Sequence, residues 1–239
     1  MKKYAISSRL LAFYIIVCLG VLLITFGGNK TITVISQNAP IDQDHCVIID
    51  AGHGYPDGGA TSVSGVLECT LNLQIAQKTE AVLSLLGIHT YMLRETEESI
   101  YSSGNSIVQK KISDTRNRVK MVNEVEDGIL ISIHQNYFSD SQYRGAQVFY
   151  SDSESSKQFA GDIQRNFVSA LQPDNHRMPK KSTGVYLMEH IDCTAVLVEC
   201  GFLSNPSEDA LLSNQDYQKK IAGILAISAA NYLDRSSLD

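Results

Sequence analysis

Gly128-Ile129-Leu130-Ile131-Ser132-Ile133-His134 is the stretch on which the fold turns. Its residues are almost all apolar, with β-branched Ile129, Ile131 and Ile133, and lack the alternation of a strand that has one wet face. That is the pattern of a strand covered on both sides, at the centre of a largely parallel sheet. Working outward, Cys46-Val47-Ile48-Ile49-Asp50 reads as another buried strand, ending at a glycine-rich loop, and Thr194–Glu199 as a third. Ile88–Arg94 and Ala146–Tyr150 read as further strands. Between them lie helical patterns. Leu71, Ile75, Val82 and Leu86 recur at helical spacing from Thr70, and Gly87 is placed to stop that helix. Val119, Val122 and Val125 mark a helix entered near Ser113-Asp114 after a polar stretch from Glu95 to Lys111. Phe159, Ile163, Phe167 and Ala170 form one side of a helix over residues 154–171, and Tyr217, Ile221, Ile224, Ser228 and Tyr232 the buried side of the last one. Before it, Asn205 is a cap with Pro206 at the first helical position and Glu208 three residues on. Strands alternating with helices predict an α/β fold: a mostly parallel central sheet with helices on both faces, one domain over residues 46–233 and a short tail at 234–239.

The chain has 239 residues, 44% of them hydrophobic and 19% charged, enough for one full core and too few for two ordinary domains with a linker. Its net charge of −6 offers no basic excess to neutralise phosphates, which argues against nucleic acid as a partner. The charge is unevenly placed. Residues 1–29 hold Lys2, Lys3 and Arg9 and no acid, so the remainder carries 17 basic against 26 acidic side chains. Leu10–Asn29 contains no charge, and twenty residues at ~1.5 Å each span roughly the 30 Å of a bilayer's hydrocarbon. The positive charges precede it, so the reading is a cytoplasmic basic tail at 1–9, a membrane segment at 10–29, a polar tether at 30–45 and an extracytoplasmic domain. An uncleaved signal anchor and a signal peptide cut near Thr25-Phe26-Gly27 are both readings of that segment. The remaining cysteines, Cys46, Cys69, Cys193 and Cys200, form no C-x-x-C pair and are read as buried free thiols.

Polar residues stand where the buried strands run out: His53 after the first, His134 at the end of the central one, Glu199 at the end of the late one. Ligands of open α/β sheets bind at the carboxyl ends of strands. Glu68, in the same loop region as His53, completes two imidazoles and two carboxylates that can meet in one pocket. Two His and one Glu can hold a zinc ion at three positions and leave the fourth open, and an unligated acid can take a proton from water. A carboxylate inside Val196-Leu197-Val198-Glu199 costs several kcal/mol if unpaired, so it calls for a cation or a chemical task. The absence of G-x-S-x-G and S-x-x-K disfavours serine chemistry.

Four stretches together resemble the zinc-dependent N-acetylmuramoyl-L-alanine amidases of bacterial cell walls: DAGHGYPDGGA (50–60), Gly65-Val66-Leu67-Glu68, Leu130–Asn136 and VECGFLSNPSE (198–208). DTRNRVKMVN (114–123), Gly145–Tyr150 and Gly184–Met188 resemble the germination-specific amidases of the spore cortex. The resemblance implies Zn²⁺ held by His53, Glu68 and His134, with Glu199 as the catalytic acid and base. It implies as substrate peptidoglycan, cut between muramic acid and the first L-alanine of the stem peptide. Tyr55 departs from the family's H-G-G, which predicts a different loop bend there and a partly aromatic groove floor, and Gln135 replaces a small or apolar residue. Neither touches a ligand.

Asn136 is a candidate to orient substrate or a turn residue; Arg94 is a candidate for contact with stem peptide or for pairing with an acid. His176, Arg177, Lys180 and Lys181 make a basic loop that could meet peptide carboxylates or simply stand in solvent. Besides the wall polymer and the membrane, an activator protein of unknown identity is an expected partner. A catalytically silent wall-binding or regulatory module and a different zinc hydrolase, a carboxypeptidase or deacetylase, are the alternative functions.

Overall fold

Long buried strands of Ile, Val and Leu leave little choice but a sheet covered on both faces, and a computed structural model, which describes residues 45–236, has that layout. The strands are β1 (Cys46–Ala51), β2 (His89–Met92), β3 (Gly128–Asn136), β4 (Gln147–Tyr150), β5 (Lys180–Lys181) and β6 (Thr194–Phe202). The helices are α1 (Glu68–Leu85), α2 (Ile107–Asn123), α3 (Glu154–Ala170), α4 (Tyr186–Glu189), α5 (Pro206–Leu212) and α6 (Gln215–Ser236). The sheet order is β2-β1-β3-β6-β4-β5. β2, β1, β3 and β6 are mutually parallel, with β3 central as expected; β4 runs against its neighbour β6, and β5 runs parallel to β4. The reversal follows from connectivity: the β3–β4 link holds no crossover helix, so β4 starts at the end where β3 stops. The tail 1–9, the apolar segment 10–29, the tether up to residue 44 and residues 237–239 lie outside the described residues. Among the described residues no helix is long and apolar enough to cross a membrane.

Alternate residues of each strand feed two cores. Ile129, Ile131, Ile133, Val196 and Val198 pack on one face with Leu71, Ile75, Phe159, Ile163, Phe167 and Ile221 of α1, α3 and α6. Ile48, Leu130, Ala195 and Leu197 pack on the other with Val122 of α2 and Leu187 and Met188 of α4. Each fully buried Ile, Leu or Phe contributes about 1.5–3 kcal/mol of transfer free energy, so these faces fix the register of the strands. α1 ends as its sequence proposes: Gly87 has φ 75, its N–H donates to Ser84 O, and Ile88 N–H donates to Leu83 O, the paired bonds of a Schellman stop.

Two local expectations need correction. α2 starts at Ile107, not near Ser113-Asp114. Ser106 accepts from Gln109 N–H while the Gln109 side chain accepts from Ser106 N–H, a capping box inside what reads as a polar loop. Ser113 and Asp114 are instead buried mid-helix. At α5, Asn205 does cap Ser207 and Glu208 N–H, but Glu208 does not reciprocate. Its carboxylate accepts from Gly145 N–H (2.9 Å) and Phe202 N–H (2.8 Å), tying the approach to β4 to the end of β6.

Candidate metal centre

Parallel pairing of β3 with β6 sets His134 opposite Glu199, and residues opposite one another in a sheet project to the same face. A register shift follows directly, between His134 and Asn136, where the ladder ends and the two side chains meet the space beyond the sheet. β1, on the other side of β3, hands over to the loop carrying His53 through Gly52, whose N–H donates to Ile133 O. The same loop returns to Glu68, the first residue of α1. One strand, one loop and one helix start thus deliver the three side chains by different routes.

Their ligating atoms lie within 4.8 Å of one another. His53 Nε2 is 3.3 Å from Glu68 Oε2, and His134 Nδ1 is 3.0 Å from Glu68 Oε1. The two rings meet edge to face, centroids 5.0 Å apart. The packing admits no extra atoms on the backbone beneath them. A Cβ on Gly52 would stand 2.2 Å from His134 Nε2, and one on Gly59, whose φ is +69, would stand 2.5 Å from Glu68 Oε2. Glu68 is further fixed by Ala60 N–H on Oε2 and by Gln135 N–H and the Asn72 amide on Oε1. Burial works to raise the Glu68 carboxyl, but the bonds and charges of His134 and His53 prevail and hold it well below the usual carboxylate range. At His53 burial is likewise outweighed, by Asp57 and Glu68, and the imidazole is pushed up to about 9.

Glu199 differs from Glu68 in every respect that matters. Its Oε2 is buried and has no hydrogen-bond partner, and burial, with the negative charge of Glu68 adding to it, pushes the carboxyl up to about 7 despite the nearby histidines. The set therefore holds one ionised carboxylate between two imidazoles and one unpaired carboxyl beside them. The first three could hold a divalent ion. Tetrahedral zinc with bonds of ~2.0–2.2 Å has ligand-to-ligand edges of roughly 3.3–3.6 Å; the two histidines approach different oxygens of Glu68, and the three ligand atoms within 4.8 Å would draw together by about an ångström around an ion.

The other site expectations fare differently. Asn136 ends β3, with its carbonyl taken by Leu203 N–H (2.8 Å) and its side chain half-buried. Arg94 is 3% exposed, and its guanidinium donates to the carbonyls of Ala51, Gly52, Cys69 and Thr96. It clamps the start of the His53 loop from below, with backbone oxygens rather than an acid as partners. Tyr55 is 59% exposed, and positive φ falls on His53 (59) and Gly54 (145), which leaves Tyr55 in ordinary backbone. In the basic loop Lys181 pairs with Asp152, and Arg177 lies over the Phe202 ring at 4.9 Å. All four described cysteines are free, Cys69 and Cys200 buried.

Residues that sequence reading passed over support the site. Arg118, 3% exposed, pairs with Asp50 and Asp114 and donates to the carbonyls of Ala51 and His53. Asp50 also accepts from Ser132 Oγ (2.6 Å), its cross-strand partner. Asp57 accepts from His53 Nδ1 at 2.9 Å, and Asn72, one turn after Glu68, bonds Gly52 O and Gln135 Nε2. Available signals were the buried strand-end Asp50, the i,i+4 spacing of Glu68 with Asn72 and of Asp114 with Arg118, and Asp57 four residues after His53.

The model of the N-acetylmuramoyl-L-alanine amidase family matches residues 47–230. The germination-specific N-acetylmuramoyl-L-alanine amidase of Bacillus subtilis is 34% identical over 182 residues, 74% of this chain and 74% of that protein. Of solved structures, the CwlD amidase of Clostridioides difficile, in complex with the GerS lipoprotein, is 34% identical with a TM-score of 0.77, covering 81% of this chain and 99% of its own. An N-acetylmuramoyl-L-alanine amidase of Clostridium difficile 630 is 28% identical with a TM-score of 0.70, covering 80% and 98%. With a family match across most of the chain and relatives of this similarity, the protein belongs to the N-acetylmuramoyl-L-alanine amidase family.

Proposed function

We propose that the chain is a zinc-dependent hydrolase of peptidoglycan that cuts the amide between N-acetylmuramic acid and L-alanine. One observation carries the zinc reading: a His53–Glu68–His134 cluster with its ligand atoms within 4.8 Å of one another, beside Glu199, whose buried Oε2 has no hydrogen-bond partner. His53 through Nε2, His134 through Nδ1 and Glu68 through a carboxylate oxygen would hold it. When bound, the ion supplies Lewis acidity for the scissile carbonyl and for water. Glu199 supplies the proton handling. As a carboxylate, with Oε2 committed to no other partner, it can accept the proton of the attacking water and return it to the departing alanine nitrogen, which must be protonated to leave. The ionised Glu68 cannot serve both ends of that transfer, because its oxygens are held by Ala60, Gln135, Asn72 and the two histidines. Asn136, where the ladder ends, is the proposed contact for substrate.

The similarity to a germination-specific amidase supports a role in the spore cortex, and the bilayer-length segment 10–29 supports delivery of the domain outside the cytoplasm, anchored or exported. The complex of CwlD with a lipoprotein supports a membrane-associated activator as partner. A catalytically silent module is disfavoured by an intact quartet of side chains. The test is mass analysis of muropeptides from purified protein incubated with peptidoglycan, with zinc and with chelator. New free amino termini on L-alanine, abolished by chelator, are the expected result. Products cut at a D-amino acid or at an acetyl group would replace this reading with a carboxypeptidase or a deacetylase.

A further inference from the structure

His53 is held at two atoms that no metal would touch. Its backbone sits at φ 59, a region that non-glycine residues seldom occupy, and its carbonyl accepts from Arg118 Nη2 (2.5 Å). Its ring accepts a second constraint from within its own loop, Asp57 Oδ2 lying 2.9 Å from Nδ1. Asp57 is in turn fixed. Gly54 and Asp57 exchange both backbone hydrogen bonds, Gly59 N–H donates to Oδ1, and Lys111 Nζ of α2 lies 3.0 Å from the same Oδ2 that faces the ring. The Lys111 ammonium and the Gly59 N–H both point at the Asp57 carboxylate, so the oxygen facing Nδ1 sits among donors and serves as an acceptor.

An imidazole has two nitrogens, and a metal needs the unprotonated one. A carboxylate can only accept, so it selects the form in which Nδ1 carries hydrogen and Nε2 presents its lone pair, and Nε2 is the nitrogen that faces Glu68. We infer that Asp57, steadied by Lys111, is the positioning residue that fixes His53 in its zinc-binding tautomer and orientation. His134 has no counterpart to this arrangement among the described hydrogen bonds: its Nδ1 faces Glu68 itself. The consequence is an asymmetric site, in which one imidazole is set by a carboxylate from its own loop and by a lysine from α2, and the other by strand register and by the absence of a side chain at Gly52. α2 thereby contributes to metal affinity without providing a ligand.

The inference rests on the zinc reading above, and the experiment separates the two. Zinc affinity is measured by competition with a chromogenic chelator for wild type, Asp57→Asn, Asp57→Ala and Lys111→Ala, alongside ¹⁵N chemical shifts of the His53 ring in the zinc-loaded proteins. Loss of a carboxylate behind a ligating histidine typically weakens metal binding about 10–100-fold. That loss is expected for both Asp57 variants, with a smaller one for Lys111→Ala and with a wild-type Nδ1–H resonance that shifts in Asp57→Asn. Lys111 is half exposed, so its substitution leaves the fold intact and keeps the test open even where an Asp57 variant folds poorly. Wild type that takes up no zinc would remove the zinc reading itself. Wild type that binds zinc, with Asp57→Asn equal in affinity and in ring shifts, would overturn this inference and leave that reading standing.

Discussion

At the scale of single residues, the two glutamates of the site show how environment pushes one chemical group in two directions. Glu68 is wrapped by donors and stays ionised; Glu199 has an orphaned oxygen in a dry setting and is raised to about 7. Glu199→Gln keeps the shape and removes the proposed proton transfer. Its kcat is expected to fall about 10²–10⁴-fold with zinc content unchanged by atomic absorption, and an active variant would disprove the assigned role. The same shift has a stability consequence. A folded-state value of about 7 against an ordinary 4.5 means that the metal-free fold takes up protons between these limits and loses stability as pH rises through them. Without metal, Glu199→Gln is therefore expected to be more stable than wild type at about pH 8, by up to about 3 kcal/mol, and to show no such gain at about pH 4. Urea titrations at the two pH values measure it. Active-site carboxyls commonly cost stability in this way.

At the scale of elements, α2 is the helix that sequence reading placed least well and that organises the most. Its Ser106–Gln109 capping box fixes where it starts, and Ser106→Ala is expected to cost about 1 kcal/mol in chemical denaturation. From its middle, Arg118 reaches Asp50 at the end of β1, Asp114 one turn back and the carbonyls of the His53 loop. A buried arginine between two carboxylates is costly to break from one side. Arg118→Met is expected to lose about 3–5 kcal/mol, because Asp50 and Asp114 remain without compensation. Burial alone would raise the Asp50 carboxyl, but Arg118, His134 and Ser132 hold it below 3.8, so its contribution is present above that pH and disappears as pH falls through the lower folded-state value. Acid unfolding below about pH 4 that is less steep in Asp50→Asn than in wild type is the matching observation. The helix boundary was illegible for a plain reason. Ile107, Val108 and Ile112 on its first turns are solvent-exposed, so the apolar rhythm that announces a helix starts only where the helix meets the sheet.

At the scale of the whole molecule, a site assembled from β1's loop, the start of α1, β3 and β6 exists only when the sheet is formed, so a metal bound there stabilises the folded state by mass action. Zinc at about one hundred times its dissociation constant adds about 2.7 kcal/mol and is expected to raise the melting temperature by about 5–10 °C, reversed by chelator; an unchanged melting temperature would mean no ion is held. The sequence by itself determined the sheet-and-helix alternation, the central position of β3, the stop at Gly87 and the four polar side chains at strand and helix ends, because burial on both faces writes long apolar runs and leaves any polar residue at their ends conspicuous. Tertiary structure alone decided which of those side chains face one another. It set His134 against Glu199 through strand register, turned Arg94 away from solvent onto four carbonyls, and brought Asp57, Asn72 and Arg118 to the histidines and Glu68. Partners that come from distant elements, and hydrogen bonds whose value depends on which oxygen is left without one, leave no periodic trace in a chain.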